Sequence, residues 1–464
     1  MGRQKLILKS QKSKVPIYFM NHQQFSVMPE TSNYWLKNAH VPACLIEREL
    51  EISDQTRVGL SLVDIEIKEG VITQIVHSLA DLPSLNNGDI PRVDLKGGMV
   101  WPCFVDMHTH LDKGHIWERS PNPDGSFNGA LDAGARDGEK YWNAEDIYRR
   151  MEFGLKCSYA HGTKAIRTHL DCFAQQANIS LEVFQTLQKK WESRLILQPV
   201  SLVTGDYYLT EAGEKLADQI ADIGGILGGV PFINSDLDNQ LDRLFSIAKE
   251  RQLDLDLHTD ENGDPNSRVL HKVAEKAISH QFYGKIICGH CCSLAVQTPE
   301  KVTETIKLVK EAGISIVSLP MCNLYLQNRQ ENYTPRWRGV TLLHELKKQG
   351  ISVAIASDNC RDPFFGFGDH DVLEVFNMSV RIAHLDMPYG DWPCAVTKTP
   401  GDLIGLPNVG IIKVGLPADL ILFKGRNFSE LLSRSQHDRV VLRNGLVIDT
   451  TLPDYSELDS LFYG

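Results

Sequence analysis

Two histidines separated by one residue end an apolar run near position 108 of the chain. The segment Val105–His110 reads VDMHTH, and alternate side chains of an extended strand point to the same face, so His108 and His110 would lie side by side. Two adjacent imidazoles can chelate one metal ion, because imidazole is the commonest ligand of borderline metals. Taken alone, the pattern fits a pair of half-buried histidines equally well.

Three further β-rich runs end in residues that can bind a metal or carry a proton. They close with LHTDE, CGH and SDN, which contribute His258 and Glu261, then His290, then Asp358 and Asn359. If the runs are parallel strands of one barrel, their carboxyl ends meet at one mouth. Two histidines from one strand, a histidine from another and an aspartate from a third then form a mononuclear site with three nitrogen ligands and one oxygen ligand.

The barrel is predicted from a recurring unit, a short β-rich run followed by a helix-like amphipathic stretch. From the second run onward the starts lie roughly 30 residues apart, the length of one βα unit, and eight units make a (β/α)8 TIM barrel. The longer first gap holds a polar insert, Ser120–Gly138, predicted to be a loop over the active-site end. The eight runs are Gly98–Val105, Lys164–Leu170, Leu195–Val203, Gly225–Phe232, Leu253–His258, Lys285–His290, Ser315–Leu319 and Ser352–Ser357.

The two flanks of the barrel carry a different, hairpin-like pattern. Asp64–Gln74 alternates apolar and polar residues around Gly70, and Asp419–Lys424 with Arg439–Ile448 repeats the pattern near the other end. We expect both flanks to combine into a small β-sandwich domain. The predicted division is an arm and the first part of the sandwich over 1–98, the barrel over 99–415, and the rest of the sandwich with a tail over 416–464. The lysine-rich arm before about Asn38 is either disordered or an oligomer contact.

Composition excludes several classes of function. The chain has 464 residues and a formal net charge of −11, which repels phosphate backbones, so no nucleic-acid partner is expected. No apolar stretch is long enough to span a membrane, and no secretory leader is evident, which favours a cytoplasmic protein. The ten cysteines are scattered in apolar runs, as reduced buried thiols are. A homo-oligomer is compatible with this composition.

These motifs, in this order, resemble the amidohydrolase superfamily. Within it the chain is similar to the cytosine deaminase branch, and also to N-isopropylammelide amidohydrolases. The resemblance implies the TIM barrel and the small sandwich domain. It is carried by FVDMHTHLDK from Phe104, VPF from Val230, LHTDE from Leu257, GH from Gly289, NLYLQNR from Asn323, RGVT from Arg338 and SDNCRDP from Ser357.

The resemblance also implies a role for each site residue. One divalent ion, Fe²⁺ or Zn²⁺, would be held by four side chains, and His290 would hydrogen-bond to the water on the metal. Asp358 and His290 would take the proton of that water as it attacks an amidine carbon, and Glu261 would shuttle a proton to the ring nitrogen. The four ligands are His108, His110, His258 and Asp358.

Two-metal relatives differ from this chain. They place a carboxylated lysine or a glutamate near the end of the third or fourth strand, where this sequence has VTGD from Val203 and VPF from Val230, with no lysine. Hydrolysis of a ring amide by a two-metal site is accordingly less expected.

The substrate-binding positions depart from those of cytosine-specific enzymes. Such enzymes have a glutamine after the third strand and an aspartate after the metal-binding aspartate, where this chain has Thr204 and Asn359. Loss of such hydrogen bonds favours a different ring. Phe364 matches an aromatic residue that stacks on the ring, although it could equally be a core residue. Lys113 could reach the substrate, or pair with Asp112 or Asp358.

The sequence therefore predicts a metal-dependent hydrolytic deaminase of a small N-heterocycle, with cytosine as the first candidate. The alternatives are isocytosine or another cyclic amidine, and release of an alkylamine from an N-alkylammelide. A third hypothesis is a barrel that has lost catalysis and serves in binding or assembly.

Overall fold

The computed structural model describes residues 28–47, 58–78 and 90–463. Most of the predicted N-terminal arm lies outside these ranges. Its last residues do not form an arm, because the first strand, β1, already begins at Tyr34, where Tyr34 and Leu36 are buried in the apolar core.

The first sheet lies near the N-terminus and has the order β3-β2-β1-β4. The strand β2 pairs antiparallel with β1 and β3, and β4 is parallel to β1. The predicted hairpin around Gly70 is present, with Gly70 at a φ of 79°. A Cβ there would lie 2.4 Å from the carbonyl oxygen of Asn444, so only glycine fits. The strands are β1 Tyr34–Pro42, β2 Leu60–Lys68, β3 Val71–His77 and β4 Arg92–Asp94.

The middle of the chain supplies two parallel sheets, one of three strands and one of five. The first has the order β6-β7-β8 and the second β9-β10-β11-β12-β13. Parallel bridges connect β8 and its following residues to the β9 segment, at Val200 with Ile226 and at Thr204 with Val230. At the other margin Thr109 of β6 bridges to Asp358. A separate strand, β5 Val100–Pro102, precedes them and belongs to another sheet. The eight strands of the two parallel sheets are β6 Phe104–Thr109, β7 Thr163–Asp171, β8 Ile196–Leu202, β9 Leu227–Gly229, β10 Leu255–Thr259, β11 Ile286–His290, β12 Ser315–Ser318 and β13 Val353–Ile355.

The first predicted run, Gly98–Val105, is wrong as a single strand. The backbone changes partners at Cys103: β5 pairs antiparallel with a C-terminal strand, β14, and only β6 joins the parallel sheet. Pro102 has no N–H with which to continue a ladder, which is one reason for the break. The β6 strand runs on through the histidine at position 108 to Thr109.

The fourth sheet joins the two ends of the chain. Its order is β16-β15-β14-β5, so it takes one strand from before the parallel sheets and three from after them. The hydroxyl of Tyr34 in β1 donates to the carbonyl of Gly445, at 2.6 Å. The N–H of Ile72 donates to the carbonyl of Leu416, at 2.9 Å. The flanks therefore associate, as their patterns predicted. The C-terminal strands are β14 Leu420–Leu422, β15 Val440–Arg443 and β16 Leu446–Val447.

Helices follow most parallel strands, and their apolar faces pack on the sheets. The apolar spacing of Val302, Ile306 and Val309 predicts a helix over Thr298–Ala312, and α7 is observed there. In the described part of the chain, no helix is long and apolar enough to cross a membrane. The helices are α1 Phe127–Tyr141, α2 Ala144–Ala160, α3 Gln175–Trp191, α4 Glu211–Asp222, α5 Leu237–Arg251, α6 Val269–Ser279, α7 Pro299–Glu311, α8 Pro320–Leu326, α9 Leu343–Lys348, α10 Val372–Ala383, α11 Lys398–Leu403, α12 Phe428–Leu432 and α13 Asp459–Phe462.

The prediction that Ser120–Gly138 is a loop is wrong over its second half, which forms α1. Ser126 caps this helix by accepting from the N–H of Gly129, at 2.9 Å. Its glycines suggested a loop, but Gly129 serves close packing, because a Cβ there would lie 2.2 Å from a carboxylate oxygen of Asp124. The insert is thus an ordered element.

All ten cysteines are free thiols and eight of them are buried. The structure thus places most of them in the interior, as their apolar runs indicated. The CxxC pair Cys288 and Cys291 is fully buried.

A buried ion pair connects β15 to α10 and gives a testable pH dependence. Both guanidinium Nη atoms of Arg439 donate to the carboxylate of Asp371, at 2.8 and 2.6 Å. Burial opposes ionisation of Asp371, but Arg439 outweighs it and the pKa falls from 3.8 to about 2. The folded-state pKa lies below the unfolded value, so this carboxylate stabilises the fold above about pH 4, and the contribution is lost as the pH falls toward 2.

We expect Asp371→Asn to remove about 2 kcal/mol of that pH-dependent stability. The midpoint of urea unfolding, measured at pH 6 and at pH 3, should differ less in this variant than in the wild type. Asn can keep the cap that Asp371 makes on the N–H of Leu373. Asp132→Asn, on the exposed face of α1, is the control. An unchanged pH dependence in Asp371→Asn would contradict the assignment.

Candidate active site

Four predicted ligands converge in a buried cluster at the carboxyl ends of the parallel strands. Nε2 of His258 lies 3.2 Å from Nε2 of His108 and 3.3 Å from Nε2 of His110. Oδ1 of Asp358 lies 3.2 Å from Nε2 of His110 and 3.7 Å from Nε2 of His108. None of the four is more than 6% exposed. The structure therefore brings together β6, β10 and the segment after β13, as the strand-end rule predicted.

The donor set fits a divalent cation. Burial, followed by the neighbouring positive groups, lowers the pKa of His108, His110 and His258 well below 6.5, so all three imidazoles are neutral at pH 7. A neutral imidazole carries one proton and can donate one hydrogen bond. Hydrogen bonds among the three rings therefore cannot pair all of the nitrogens that face one another. An ion bound to two imidazoles at about 2.0–2.1 Å would hold their nitrogens roughly 3.0–3.4 Å apart. Both carboxylate oxygens of Asp358 are also buried without a hydrogen-bond partner.

The backbone around Asp358 holds its carboxylate in the cluster. Its N–H donates to the carbonyl of His108, at 2.8 Å, and its φ is 67°, a left-handed value that is rare outside glycine. Asp106 of β6 accepts from the N–H and the hydroxyl of Ser357, at 3.1 and 2.5 Å. When no cation is present, burial raises the pKa of Asp358 to about 8, and the negative charge of Asp362 contributes to this rise as the second-largest cause.

Glu261 and His290 form a pair beside the cluster. Oε1 of Glu261 lies 3.3 Å from Nδ1 of His290, which leaves Nε2 of His290 buried and without a hydrogen-bond partner. His290, His108 and Asp358 lie close enough for their ligand atoms to share one ion. Burial, and then the charge of Asp358, raises the pKa of Glu261 well above 4.5, so its carboxyl group can hold a proton at neutral pH.

Asn323 was part of a quoted motif but had no predicted role. Its side-chain amide contacts both members of the pair, at 3.0 Å from Nδ1 of His290 and 3.5 Å from Oε1 of Glu261. Gln327 adds a hydrogen bond to the carbonyl of Glu261, at 3.2 Å. Both residues come from α8 and the residue after it, which sequence periodicity could not place against β10 and β11.

A fully buried carboxylate beneath the cluster was also missed. Asp256 accepts from Arg167 at 2.8 Å and lies 3.2 Å from Nε2 of His169. The His169 ring packs on that of His108, with 3.9 Å between centroids. His169 thus packs directly against one histidine of the cluster, and Arg167 and His169 share the Asp256 carboxylate. Asp256 precedes His258 by two residues, so strand alternation could have placed both on one face.

The predicted substrate-binding residues lie at the same end but make different contacts. Lys113 pairs with Asp171, at 2.8 Å, and with neither of the carboxylates that the sequence suggested. Its Nζ lies 5.4 Å from the ring centroid of Phe364, which is half-buried, and Phe364 meets the edge of Phe127 from α1. The ordered insert therefore packs against the loop that follows Asp358.

Thr204 and Asn359 occupy the carboxyl ends of β8 and β13. Thr204 is half-buried and bridges to Val230 of the β9 segment. The Asn359 side chain donates to Asp362, at 2.7 Å. That hydrogen bond uses one N–H of the Asn359 side-chain amide. The same side chain also carries a second N–H and a carbonyl oxygen, which can accept a hydrogen bond.

Three buried imidazoles and two neighbouring carboxyl groups, collected at the carboxyl ends of parallel strands, are typical of metal-dependent hydrolases. The sequence agrees with this class. The model of the amidohydrolase family matches residues 92–148 and 148–448, and the chain belongs to that family. It is therefore an enzyme, a hydrolase that acts on C–N bonds.

Among curated proteins, the chain is 49% identical over 438 residues to the pterin deaminase of Rhizobium rhizogenes, which covers 94% of this chain and 98% of the relative. It is 27% identical over 367 residues to the N-isopropylammelide isopropyl amidohydrolase of Pseudomonas sp., covering 77% and 87%.

The fold is similar to that of a solved structure of 5-methylcytosine deaminase from Klebsiella pneumoniae. The TM-score is 0.75 at 23% identity, with 90% of this chain and 98% of the other covered. A structure of guanine deaminase from C. acetobutylicum has a TM-score of 0.61 at 16% identity, covering 90% and 100%.

Proposed function

We propose that the chain is a hydrolytic deaminase of a pterin-class ring. The observation that carries the proposal is the 49% identity, over 94% of the chain, to a pterin deaminase. The buried cluster of histidines and Asp358 supports the same chemistry. Pterin is a bicyclic ring with an exocyclic amine on a carbon between two ring nitrogens, which is the cyclic amidine that this site is suited to attack.

In the reaction, water adds to the amidine carbon and the C–NH₂ bond breaks, so the products are ammonia and a ring carbonyl. We assign the cation site to His108, His110, His258 and Asp358. A divalent ion held there, iron or zinc, would lower the pKa of water from about 15.7 toward 7 and so would supply the nucleophile.

The remaining steps are proton transfers by this chain's own residues. Glu261, kept protonated by burial, donates to the ring nitrogen beside the attacked carbon and makes that carbon more electrophilic. His290 presents its free Nε2 toward the attacking water, and Asp358 accepts a proton. The first proton of the water passes from Asp358 to the Glu261 carboxylate, which donates it to the amine, and the amine leaves as ammonia. The remaining hydroxyl proton passes by the same route to Glu261, which leaves a ring carbonyl and restores the starting protonation of both carboxyl groups. Asn323 holds the amide contact that orients both His290 and Glu261.

We further propose that the two parallel sheets form one closed (β/α)8 barrel. The bridges at Thr204 with Val230 and at Thr109 with Asp358 support this, because they connect both margins of the sheets. The antiparallel sheets at the two ends would form the small sandwich domain, with domain limits near residues 98 and 415. Since β5 pairs with β14, the sandwich would extend to Pro102.

The substrate-binding positions support a ring other than cytosine. Thr204 and Asn359 replace the glutamine and aspartate of cytosine-specific enzymes, and Asn359 is already hydrogen-bonded to Asp362. We place the Phe364 side chain beside the substrate ring, as one wall of the pocket. The ammonium group of Lys113 lies over the Phe364 ring, where it could bind a carbonyl oxygen of the substrate. Cytosine, the first expectation from sequence, has less support than pterin. The 27% identical relative keeps N-alkylammelides as the second candidate.

The small heterocycle would be the enzyme's partner in the cytoplasm, and a homo-oligomer is part of the same proposal. Nucleic acid and membrane stay outside it on the grounds of the net charge and the sequence.

Ammonia release from a panel of rings tests the proposal. The panel contains pterin, cytosine, isocytosine, guanine and N-isopropylammelide, and the enzyme is loaded separately with iron and with zinc. We expect kcat/KM for pterin to exceed that for cytosine by at least a hundredfold, since lost ring-recognition hydrogen bonds cost roughly 10⁴–10⁵-fold in comparable sites. Isopropylamine release from the ammelide would favour the second candidate. Turnover of cytosine in preference to pterin would contradict the proposal.

A further inference from the structure

A second group of metal-binding side chains lies outside the active-site cluster. It consists of His115, Cys360 and His370, which we call the loop cluster. His115 lies in the segment after β6, Cys360 follows Asp358 by two residues, and His370 immediately precedes the aspartate that caps α10. Each is no more than 3% exposed.

The loop cluster has the geometry of a metal site. Nε2 of His115 and Nε2 of His370 are 3.1 Å apart, and the ligand atoms of all three residues lie within 4.8 Å of one another. The nitrogen separation is nearly that of the histidines in the active site, 3.2 and 3.3 Å. It is also the separation expected when one ion binds two imidazoles at about 2.0–2.1 Å.

Residues of α2 pack closely against the loop cluster. The ring of Phe153 lies 4.8 Å from that of His115. A Cβ on Gly154 of α2 would lie 2.9 Å from Nε2 of His370. The backbone of α2 therefore passes close to the cluster at this residue. Burial keeps imidazoles neutral, which is the form that binds metals. The Asp369 carboxylate, bound to His161 at 3.0 Å, is adjacent in sequence to His370 and supplies nearby negative charge.

We propose that His115, Cys360 and His370 bind a second, structural transition-metal ion of the zinc class. Imidazole nitrogen and thiolate sulfur are both donors that zinc binds, and a thiolate disfavours hard ions such as Mg²⁺. On binding, Cys360 loses its proton to solvent and the sulfur–metal bond forms. The ion is distinct from that of the active site, whose assigned ligands are nitrogen and oxygen atoms.

The loop cluster would act on the active site by position. Its residues come from the two loops that continue from His110 and from Asp358. Hydrogen bonds already connect these two loops. The N–H of His115 donates to the carbonyl of Cys360, at 3.0 Å, and the N–H of Trp117 donates to the carbonyl of Arg361, at 2.8 Å. An ion bound there would cross-link them and limit the relative movement of two active-site ligands.

Cobalt substitution of the full-length enzyme tests this proposal. The protein is stripped with a chelator, reloaded with Co²⁺, and examined by metal analysis and absorption spectroscopy. We expect two ions per chain, together with a thiolate-to-cobalt charge-transfer band in the near ultraviolet. Cys360→Ser should remove that band and one ion while the second ion remains. The reciprocal variant, His258→Ala, should lose the active-site ion and keep the band.

Cys172→Ser is the matched control, because Cys172 is also a fully buried thiol and lies outside both clusters. It should keep two ions and the band. If Cys360→Ser does not fold, the wild-type spectrum still decides, since the active-site assignment includes no sulfur ligand. One ion per chain without a thiolate band would overturn the proposal and leave His115 and His370 as a hydrogen-bonded pair. Activity is not needed for either result, so failure of this site is separate from failure of the proposed deaminase.

Discussion

Replacing Glu261 with glutamine is expected to lower kcat by roughly 10²–10⁴-fold while the active-site ion stays bound. Glutamine keeps the size of the side chain and its contact with Asn323, but it has no carboxyl proton to give to the ring nitrogen. KM should change much less than kcat, because the lost interaction belongs to the transition state. Steady-state kinetics with pterin and metal analysis of the same preparation measure both quantities.

Glu311→Gln, at the exposed end of α7, makes the same substitution far from the site and should leave kcat unchanged. If Glu261→Gln keeps wild-type kcat with its metal, Glu261 is not the proton shuttle. If the variant loses the metal instead, Glu261 is a metal ligand. The assignment of metal binding to the four-residue cluster alone would then be wrong.

Replacing His258 with alanine is expected to abolish deamination by removing the ion. His258 is the central member of the cluster, because its Nε2 lies within 3.3 Å of Nε2 of both other histidines. Loss of even a residue that only supports a ligand weakens metal binding by about 10–100-fold, so loss of a ligand should exceed that range. Metal affinity, measured by competition with a chelator, is the direct readout.

His344→Ala serves as the control, since His344 is exposed at the start of α9. It should retain both metal affinity and activity. A His258→Ala enzyme that holds its ion as tightly as the wild type would show that the ion lies elsewhere. Restored turnover on adding excess metal to this variant would instead support the assignment, because mass action can offset weakened binding.

The placement of the four proposed ligands could be predicted from sequence because two simple rules apply to them. Alternation along a strand puts His108 and His110 on one face, and parallel strands bring their carboxyl ends together. The rules require only that the runs be recognised as strands. They therefore also work for His258 and Asp358, which lie far from the first pair in the chain.

Other parts of the site depend on contacts that no local pattern reports. Lys113 could be paired with any nearby carboxylate, and only the packing of β7 beside β6 brings Asp171 to it. Asn323 reaches His290 from the short helix α8, whose direction is set by tertiary contacts. The glycines of α1 predicted a loop, but the Ser126 cap and the close contact at Gly129 outweigh their poor helix propensity. Sequence thus located the ligands better than the residues that orient them.

Deamination of pterin in ¹⁸O-labelled water is the most direct test of the central claim. With the metal-loaded enzyme, we predict that ammonia is released and that the ring product gains one ¹⁸O atom at the carbon that carried the amine, as seen by mass spectrometry. The chelator-treated enzyme should give neither product, and restoring iron or zinc should restore both. An intact pterin after incubation with fully metal-loaded enzyme, or a product without the label, would contradict the account.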